Sequence, residues 1–363
     1  LAPKWTCSIN VVMLLLASSF GNELRRKAIK TGSRHRRNEV PAGSANPSQI
    51  PRFRAFARME FPEVSRHLFT IGIMTSGGDS QGMNAAIRAA VRWSILMKYR
   101  VYLIKNGWSG VVRGGDSFIP CTWHTVSGIL EMGGTVIGTA RCAEFREKKG
   151  RKIATLHLIE KEINALMVIG GDGSLTGASI LSAEWQEHQE ALLNDGLISG
   201  GLSSKLTSLK VVGLVGSIDN DLCGTDFTIG ANSALHRILD ACDCLVTTAS
   251  SHGRAFVVQC MGRDAGYLTL YAGVLVGADF IFIPENPPDE AEDWLGRMCQ
   301  AVKFSRQNGK TSSIVMLAEG ARTVQGTLIT PQDVAAALEE RMSLDVRTTV
   351  LGHIQRGGKP TAR

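Results

Sequence analysis

The sequence lacks the cysteine and histidine spacings that build metal-binding modules. Its eight cysteines include no Cys-x-x-Cys pair, and none is interleaved with histidine at a metal-binding spacing, which argues against a zinc module. Cys242 and Cys244 lie two residues apart on one predicted helix and point in different directions. We therefore expect reduced thiols, as in a cytoplasmic protein.

An apolar run long enough to cross a bilayer is also missing. Residues 8–20 are apolar but too short for a transmembrane helix. They fit the core of a signal peptide, a disordered tail, or a wrongly assigned start, since Met59 lies just before the first well-patterned segment. Residues 1–58 are left out of the fold prediction, and we expect no membrane partner.

Positive charge is scarce outside the first part of the chain. Residues 1–58 hold eleven Lys or Arg and two Asp or Glu, a net charge of +9, although the whole chain carries only +7. The remaining residues therefore carry a net charge of −2. This globular part gives no basis for nucleic-acid binding, although a functional basic arm stays possible for the first 58 residues.

Short apolar runs alternate with helical patterns from residue 68 onward. Near-continuous Val and Ile predict strands that are covered on both faces, and hence an α/β fold with mainly parallel sheets between helices. Functional groups in such folds gather at the carboxyl ends of strands. A polar stretch at 184–208 predicts an inserted helix plus loop. The predicted strands are 68–74, 165–170, 211–216, 255–262, 279–285, 312–320 and 346–352.

Three strand-end loops have features that suit phosphate. TSGGDSQGMNAA (75–86) is neither a Walker A motif nor a dinucleotide-binding motif, but its glycines free backbone N–H groups beside a helix start. A tight strand-to-helix turn is the alternative. In VIGGDGSLTGA (168–178), Asp172 could reach a phosphate-bound Mg²⁺ or cap a helix. In VIGTARCAEFR (136–146), we expect Arg141 at a strand end, as a phosphate contact or as a surface arginine.

The segment GSIDND (216–221) places two carboxylates after a predicted strand. Phosphoryl transfer to an alcohol needs a base for the hydroxyl proton and cations for the moving phosphoryl group. Asp219 could be that base, and Asp221 could hold it in position or help to bind a metal. Alternatively, one or both aspartates could cap the helix that follows.

Several arginines are expected at the ends of other predicted strands, together with Glu319. The planar guanidinium binds phosphate in a bidentate manner, so a phosphate-bearing second substrate is indicated, although each arginine alone could form a structural ion pair. Glu319 is the acid among them and suits a sugar hydroxyl. The basic residues of this set are Arg254, Arg263, Arg347, His353 and Arg356.

Taken in order, these motifs resemble the family of ATP-dependent 6-phosphofructokinases. The motifs are TSGGDSQGMNAAIRAAVR, GTARC, GGDGS, GSIDND, TDFTIG, MGR and VLGHIQRGG. The resemblance runs from about Phe69 to Pro360 and is closest to the catalytic N-terminal half of the eukaryotic type, cut short at the C-terminus. It implies two doubly wound domains, one binding ATP (59–230) and one binding fructose 6-phosphate (231–363). The implied reaction is the committed step of glycolysis, which yields fructose 1,6-bisphosphate and ADP.

The resemblance also implies roles for individual residues. ATP would be bound by Gly78, Arg141, Cys142, Gly171, Asp172, Gly173 and Ser174, with Asp172 holding Mg²⁺. Asp219, Asp221 and Arg263 would be catalytic, with Asp219 taking the proton of the 1-hydroxyl. The sugar phosphate would be held by Ser217, Ile218, Asp219, Met261, Gly262, Arg263, Glu319, His353, Ile354, Gln355 and Arg356. Arg254 and Arg347 would reach it from a neighbouring subunit of a homo-oligomer, a tetramer in the family.

Two glycines bear on the phosphoryl donor. Pyrophosphate-using relatives tend to carry Asp in place of Gly173 and Lys in place of Gly216. An extra carboxylate would crowd the α-phosphate of a nucleotide, so glycine at both positions favours ATP. Departures from the family pattern are Trp108 for a common Tyr, Gly253 for Gln and Asp264 for His.

Other functions stay open at this point. A lipid or NAD kinase could share the GGDG loop, although GSIDND and GHIQRGG argue against one. A catalytically silent regulatory or phosphate-binding subunit of a phosphofructokinase oligomer is the other alternative. It is favoured by the missing helices that in the family return to the first domain, and disfavoured by the intact Asp172, Asp219 and Arg263.

Overall fold

The structure is a computed structural model that describes residues 69–362. The predictions for residues 1–58, and the start of the predicted domain at 59–68, lie outside the described residues. The described residues belong to one compact unit. The proposed division after residue 230 stays a prediction, although the two sheets described below fall on either side of it.

Residues 70–230 supply a six-stranded sheet. Its strands are β1 (Thr70–Ser76), β2 (Arg100–Ile104), β3 (Phe118–Pro120), β4 (Ala165–Gly170), β5 (Lys210–Ser217) and β6 (Ile229–Gly230). They lie in the order β3-β2-β1-β4-β5-β6, and every neighbouring pair is parallel except β2 and β3. All seven residues of β1 are buried, as the continuous apolar sequence of a doubly covered strand predicts.

The helices of this part cover the sheet. They are α1 (Met83–Leu96), α2 (Gly107–Arg113), α3 (Lys148–Glu160), α4 (Asp172–Ala183), α5 (Trp185–Asn194) and α6 (Gly200–Lys205). Helix α1 buries Met83, Ile87 and Val91, one turn apart, and packs against β1 and β2. One core cluster contains residues of the four helices from α2 to α5 and of strand β4. It includes Trp108, Leu158, Val168, Leu175 and Trp185.

The polar stretch at 184–208 differs from its prediction of one helix plus a loop. It forms two helices, α5 and α6, and Trp185 is only 1% exposed. The indole Nε1 of Trp185 donates a hydrogen bond to the carbonyl of Leu206 at 2.9 Å. One buried aromatic therefore ties both ends of this polar segment to the core.

Residues 231–350 supply a second sheet and its helices. The strands β7 (Ala255–Cys260), β8 (Phe280–Phe282), β9 (Ser313–Ala318) and β10 (Val346–Val350) lie in the order β10-β7-β9-β8 and are all parallel. The helices are α7 (Ala231–His252), α8 (Tyr267–Val276), α9 (Trp294–Gln307) and α10 (Pro331–Met342).

Both faces of the second sheet are buried by helices. Val257 and Val315 pack with residues of α9 and α10 in one cluster. Their neighbours Val258 and Met316 pack with residues of α7 and α8 in another. Successive strand residues thus point to opposite cores, which is the period of two that strand geometry imposes. The predicted α/β class with mainly parallel, doubly covered sheets is confirmed.

Each sheet has two central strands, and in the first sheet the chain order reverses between them. In the first sheet β1 neighbours β4, and in the second β7 neighbours β9. A crevice opens at such a point because the following connections leave in opposite directions. The loops after these four strands begin at Gly77, Gly171, Met261 and Glu319. One sequence prediction is wrong here: residues 136–146 hold no strand, so Arg141 lies in a loop.

Candidate active site

Asp219 lies just beyond β5, and it is 3% exposed. Its Oδ2 is 3.6 Å from Nε of Arg263, while its buried Oδ1 has no hydrogen-bond partner among the described residues. Burial raises the pKa of this carboxyl above 3.8, and nearby Arg263 lowers it in part. A carboxylate with a free oxygen and a raised proton affinity is suited to accept a proton.

The loop that follows Asp219 is folded by its own polar side chains. Asn220 adopts the left-handed conformation, and its Oδ1 accepts a hydrogen bond from the N–H of Thr228 at 2.8 Å. The hydroxyl of Thr228 donates to the carbonyl of Ser217 at 2.5 Å. No role is predicted for Asn220 or Thr228 from the sequence. The signal is present, because asparagine is one of the few side chains that tolerates this backbone region.

The aspartates of this loop do not cap the next helix. Helix α7 begins at Ala231 behind Gly230, whose φ is 112°, and it has no side-chain cap. The capping alternative is therefore wrong for both Asp219 and Asp221. Asp221 is exposed, and its charge raises the pKa of Asp219.

Arg263 stands on a sharp turn after β7. Its φ is 51°, and one oxygen of Glu319 accepts hydrogen bonds from the N–H groups of Gly262 at 3.2 Å and Arg263 at 2.7 Å. The side chain of Arg263 is 67% exposed. Glu319 therefore holds the backbone of the turn, and the guanidinium stays open to solvent beside Asp219.

The glycine loops after β1 and β4 lie side by side. Oγ of Ser174 donates to Oγ of Ser76 at 3.0 Å. Asp172 is the first residue of α4 and is exposed, while Gly171 occupies the cap position. The capping alternative for Asp172 is therefore wrong. Because β4 pairs with β5, the Asp172 loop and Asp219 follow neighbouring parallel strands.

Arg356 connects the second half of the chain to the first glycine loop. It lies on the one-turn 3₁₀ helix Gly352–Arg356 after β10, and a Cβ on Gly78 would be 2.5 Å from its terminal nitrogen. A side chain at position 78 would therefore require the guanidinium of Arg356 to move. Arg356 lowers the pKa of Asp219 in part, whereas Glu319 adds to the rise that burial causes. His353 and Ile354 on the same turn are exposed.

Arg254 and Arg347 do not join this group. Arg254 precedes β7 and Arg347 is the second residue of β10, so both lie at the amino edge of the second sheet. Both arginines pair with Asp345. Nε of Arg254 lies 2.5 Å from Oδ2 of Asp345, and Nη1 of Arg347 lies 2.5 Å from its Oδ1. The predicted grouping of these arginines with the strand ends near Glu319 is wrong. Residues that precede a parallel strand lie at the opposite edge from those that follow it.

Arg141 and Cys142 lie between residues 121 and 143, in a segment without helix or strand. Arg141 is exposed, and Cys142 packs against the core cluster of the first sheet. Trp108, one of the departures from the family pattern, stacks on Phe145 with ring centroids 3.9 Å apart. Both rings belong to the core cluster against which Cys142 packs.

Metal ligands are sparse in this part of the chain. Among residues 69–362, no group of three or more His, Cys, Asp or Glu side chains could hold a metal ion. Mg²⁺ keeps several waters and commonly uses one or two carboxylates with substrate phosphates, so the single exposed Asp172 fits such a site.

Among residues 69–362, no helix is long and apolar enough to cross a membrane.

Comparisons with known proteins agree with this geometry. The family model described as Phosphofructokinase matches residues 70–363. The ATP-dependent 6-phosphofructokinase of Schistosoma mansoni is 49% identical over 307 residues, which are 84% of this chain and 39% of the relative. The muscle-type enzyme of Mus musculus is 49% identical over 292 residues, 80% of this chain and 37% of the relative.

Solved structures show the same fold. The phosphofructokinase of Saccharomyces cerevisiae matches with a TM-score of 0.79 and 47% identity, over 81% of this chain and 39% of that one. A pyrophosphate-dependent phosphofructokinase from Marinobacter aquaeolei matches with a TM-score of 0.61 at 19% identity, over 80% of this chain and 69% of that one, which supports the fold alone. This chain spans about two fifths of the length of its curated relatives. The chain belongs to the phosphofructokinase family.

Proposed function

We propose that this chain transfers the γ-phosphoryl group of ATP to the 1-hydroxyl of fructose 6-phosphate. The observation that carries the proposal is the pairing of a buried, partly unpartnered carboxylate with an exposed arginine. Asp219 and Arg263 supply this pair. Asp219 follows β5, which neighbours the strand that leads into the Asp172 loop. Phosphoryl transfer to an alcohol requires a proton acceptor and a cation at one point.

In the proposed reaction each group has one task. The free oxygen of Asp219 takes the proton of the 1-hydroxyl as that oxygen forms its bond to the γ-phosphorus. The bond from the γ-phosphorus to the β-phosphate oxygen breaks, and ADP leaves with the electron pair. Arg263 stabilises the charge on the transferring group, and Asp221 keeps Asp219 basic by raising its pKa.

On the nucleotide side, the backbone of the glycine loops would bind the phosphates of ATP. The residues proposed for this are Gly78, Arg141, Cys142, Gly171, Asp172, Gly173 and Ser174. Asp172 would hold Mg²⁺, which when bound neutralises phosphate charge. The exposure of its carboxylate supports this role.

On the sugar side, the proposed contacts come from the loops of the second half of the chain and from Ser217 and Ile218. The others are Met261, Gly262, Glu319, His353, Ile354 and Arg356. Gln355 belongs to the predicted set, but it is 0% exposed and its side chain bonds the backbone of Met261 instead of facing a ligand. Glu319 uses one oxygen on the Arg263 turn, which leaves the other for a hydroxyl.

The arginines at the amino edge of the second sheet suit a different role. Arg254 and Arg347 cannot serve the Asp219 site of their own chain from that edge. Their position supports the proposal that they reach the 6-phosphate in a neighbouring copy of a homo-oligomer. A cytoplasmic location for the enzyme is part of the same proposal.

ATP is proposed as the donor on steric grounds. A Cβ added at Gly173 would meet no atom within 4 Å, so this position leaves room for a nucleotide. A Cβ at Gly216 would be 2.6 Å from Cε of Met83 and 3.3 Å from Ile169. A lysine at that position would therefore require the core to shift.

The test is turnover by the full chain with each donor in turn. ATP with Mg²⁺ should give fructose 1,6-bisphosphate, and pyrophosphate should give at least tenfold less (roughly 1.4 kcal/mol of discrimination). Glucose 6-phosphate is the control acceptor, because it has no 1-hydroxymethyl group in its ring form. Binding of ATP and fructose 6-phosphate without turnover would contradict the proposal.

A further inference from the structure

The loop between β1 and α1 and the first turn of α1 together bury three polar side chains, and each bonds a different segment. Ser80 is 0% exposed, and its hydroxyl donates to the carbonyl of Ile229 at 2.7 Å. Asn84, also 0% exposed, donates to the carbonyls of Met132 and Gly133. Gln81 reaches a third segment, in the second half of the chain. Buried side chains thus hydrogen-bond the proposed nucleotide loop and the start of α1 to three other segments of the chain.

The amide of Gln81 binds the backbone on both sides of Arg356. Gln81 is 1% exposed, and its Nε2 donates to the carbonyls of Gln355 and Gly357, each at 2.8 Å. Both acceptors are carbonyl oxygens, so the orientation of the amide is fixed. The two bonds lie on either side of Arg356 in the chain. They therefore fix the position of the Arg356 backbone, from which the guanidinium reaches Gly78.

Gln355 continues the connection toward the Arg263 turn. It is 0% exposed, and its Oε1 accepts a hydrogen bond from the N–H of Met261 at 2.8 Å. Its Nε2 donates back to the carbonyl of Met261 at 3.4 Å. Both polar atoms of the Gln355 side chain therefore hydrogen-bond the backbone of Met261. Met261 leads directly into Gly262 and Arg263, which Glu319 holds.

We propose that Gln81 is a positioning residue that sets the sugar-phosphate segment 352–358 against the nucleotide loop. The inference rests on the proposed function and deepens it. Gln81 is buried, and it acts through the position of Arg356. Losing its two donors takes this partner from the carbonyl of buried Gln355 and from the carbonyl of Gly357, an exposed residue, so the segment relaxes away from Gly78.

The first variant is Gln81→Met, which keeps the size of the side chain and removes both donors. We expect the KM for fructose 6-phosphate to rise about tenfold while kcat changes less than threefold, since placement of a binding group is lost but the chemistry is not. Ser80→Ala is the matched control. It removes one equally buried hydrogen bond of the same loop, but that bond leads to Ile229. It should lower stability without changing this KM.

A double-mutant cycle separates positioning from general destabilisation. If Gln81 acts through Arg356, then Gln81→Met should raise the KM much less in an Arg356→Gln background than in the wild type. A role confined to stability would give the same rise in both backgrounds, and that result would overturn the inference.

Hydrogen exchange gives a readout that needs no turnover. Amides of residues 352–358 should exchange faster in Gln81→Met than in Ser80→Ala at equal global stability. Equal exchange in the two variants would also overturn the inference. Failure of the proposed function would be distinct: the wild-type chain would not phosphorylate fructose 6-phosphate, whatever the exchange of this segment.

Discussion

Two regions of this molecule pair aspartate with arginine, and they treat the carboxylate in opposite ways. At one, Asp219 is buried, its Oδ2 is 3.6 Å from Arg263, and its other oxygen has no partner among residues 69–362. At the other, exposed Asp345 uses both oxygens on Arg254 and Arg347. The pKa of Asp219 is raised, and the pKa of Asp345 is lowered.

The difference follows from which physical effect is larger at each place. Burial is the main influence on Asp219, and a single long contact to Arg263 does not offset it. At Asp345 the hydrogen bond from Arg254 dominates, and desolvation is smaller. Two aspartates that each lie next to an arginine can therefore have pKa values shifted in opposite directions. The buried carboxylate has a free oxygen to accept a proton, and the exposed one is a fixed anion that orients two cations.

The largest expected effect comes from removing the buried carboxylate. Asp219→Asn should lower kcat by about 10²–10⁴-fold, the usual scale of general-base catalysis, with little change in the KM values. It should also raise the unfolding temperature at pH 7, because the wild type buries a charge there at a cost. Steady-state kinetics and thermal unfolding of the same preparation measure both.

The control for this variant is an exposed aspartate. Asp240→Asn on α7 removes a carboxylate that contacts Arg237 at the surface, and it should change neither turnover nor the unfolding temperature appreciably. Near-normal turnover of Asp219→Asn would remove this residue from the role of base. Loss of stability in Asp219→Asn would contradict the account of its buried charge.

The second prediction concerns the arginine of the same pair. Since the guanidinium of Arg263 lowers the pKa of Asp219, Arg263→Gln should raise that pKa further. The base works as carboxylate, so activity is lost as the pH falls through this pKa. The acid limb of kcat/KM should therefore lie above pH 3.8 in the wild type and move to higher pH in the variant, while kcat falls by about 10²-fold.

Arg263→Lys is the companion variant, because it keeps the charge and changes the shape. Its acid limb should stay near that of the wild type, although kcat falls. If the two substitutions moved the limb equally, or if Arg263→Gln moved it to lower pH, the assigned interaction between Arg263 and Asp219 would be wrong. A pH–rate profile of the three proteins decides this.

The strands and the glycine loops could be predicted from the sequence, because continuous Val and Ile runs bounded by glycine are typical of buried strands that end in tight turns. The strand end predicted within residues 136–146 is wrong, because here side chains replace the sheet ladder. Asn84 accepts a hydrogen bond from the N–H of Val136, and Thr75 donates to the carbonyl of Gly138. A pattern of apolar residues does not contain such long-range partners.

The polar side chains of the active region were harder to predict. The residues of SGGDSQG have the composition of a solvent-facing loop, yet Ser80 and Gln81 are buried and bonded to segments 149 and 274 residues away or more. Burial of a polar residue depends on partners brought by the fold, and one sequence alone does not reveal them. The positions of Arg254 and Arg347, in contrast, could have been predicted from the sequence. The predicted sheet was parallel, and residues at the start of parallel strands lie at the amino edge of a sheet.

The smallest expected effect comes from the exposed carboxylate. Asp345→Asn should lower the unfolding temperature slightly at pH 7, because two arginines lose a shared anion at the surface. The folded-state pKa of Asp345 is lowered, so its contribution is present above the unfolded value near 3.8 and is lost as the pH falls through the folded value. The gap between wild type and variant should therefore be constant from pH 7 to pH 5 and close only below pH 3.8. A gap that widened toward acid would mean that Asp345 is held by its surroundings as Asp219 is, and the contrast between the two regions would fail.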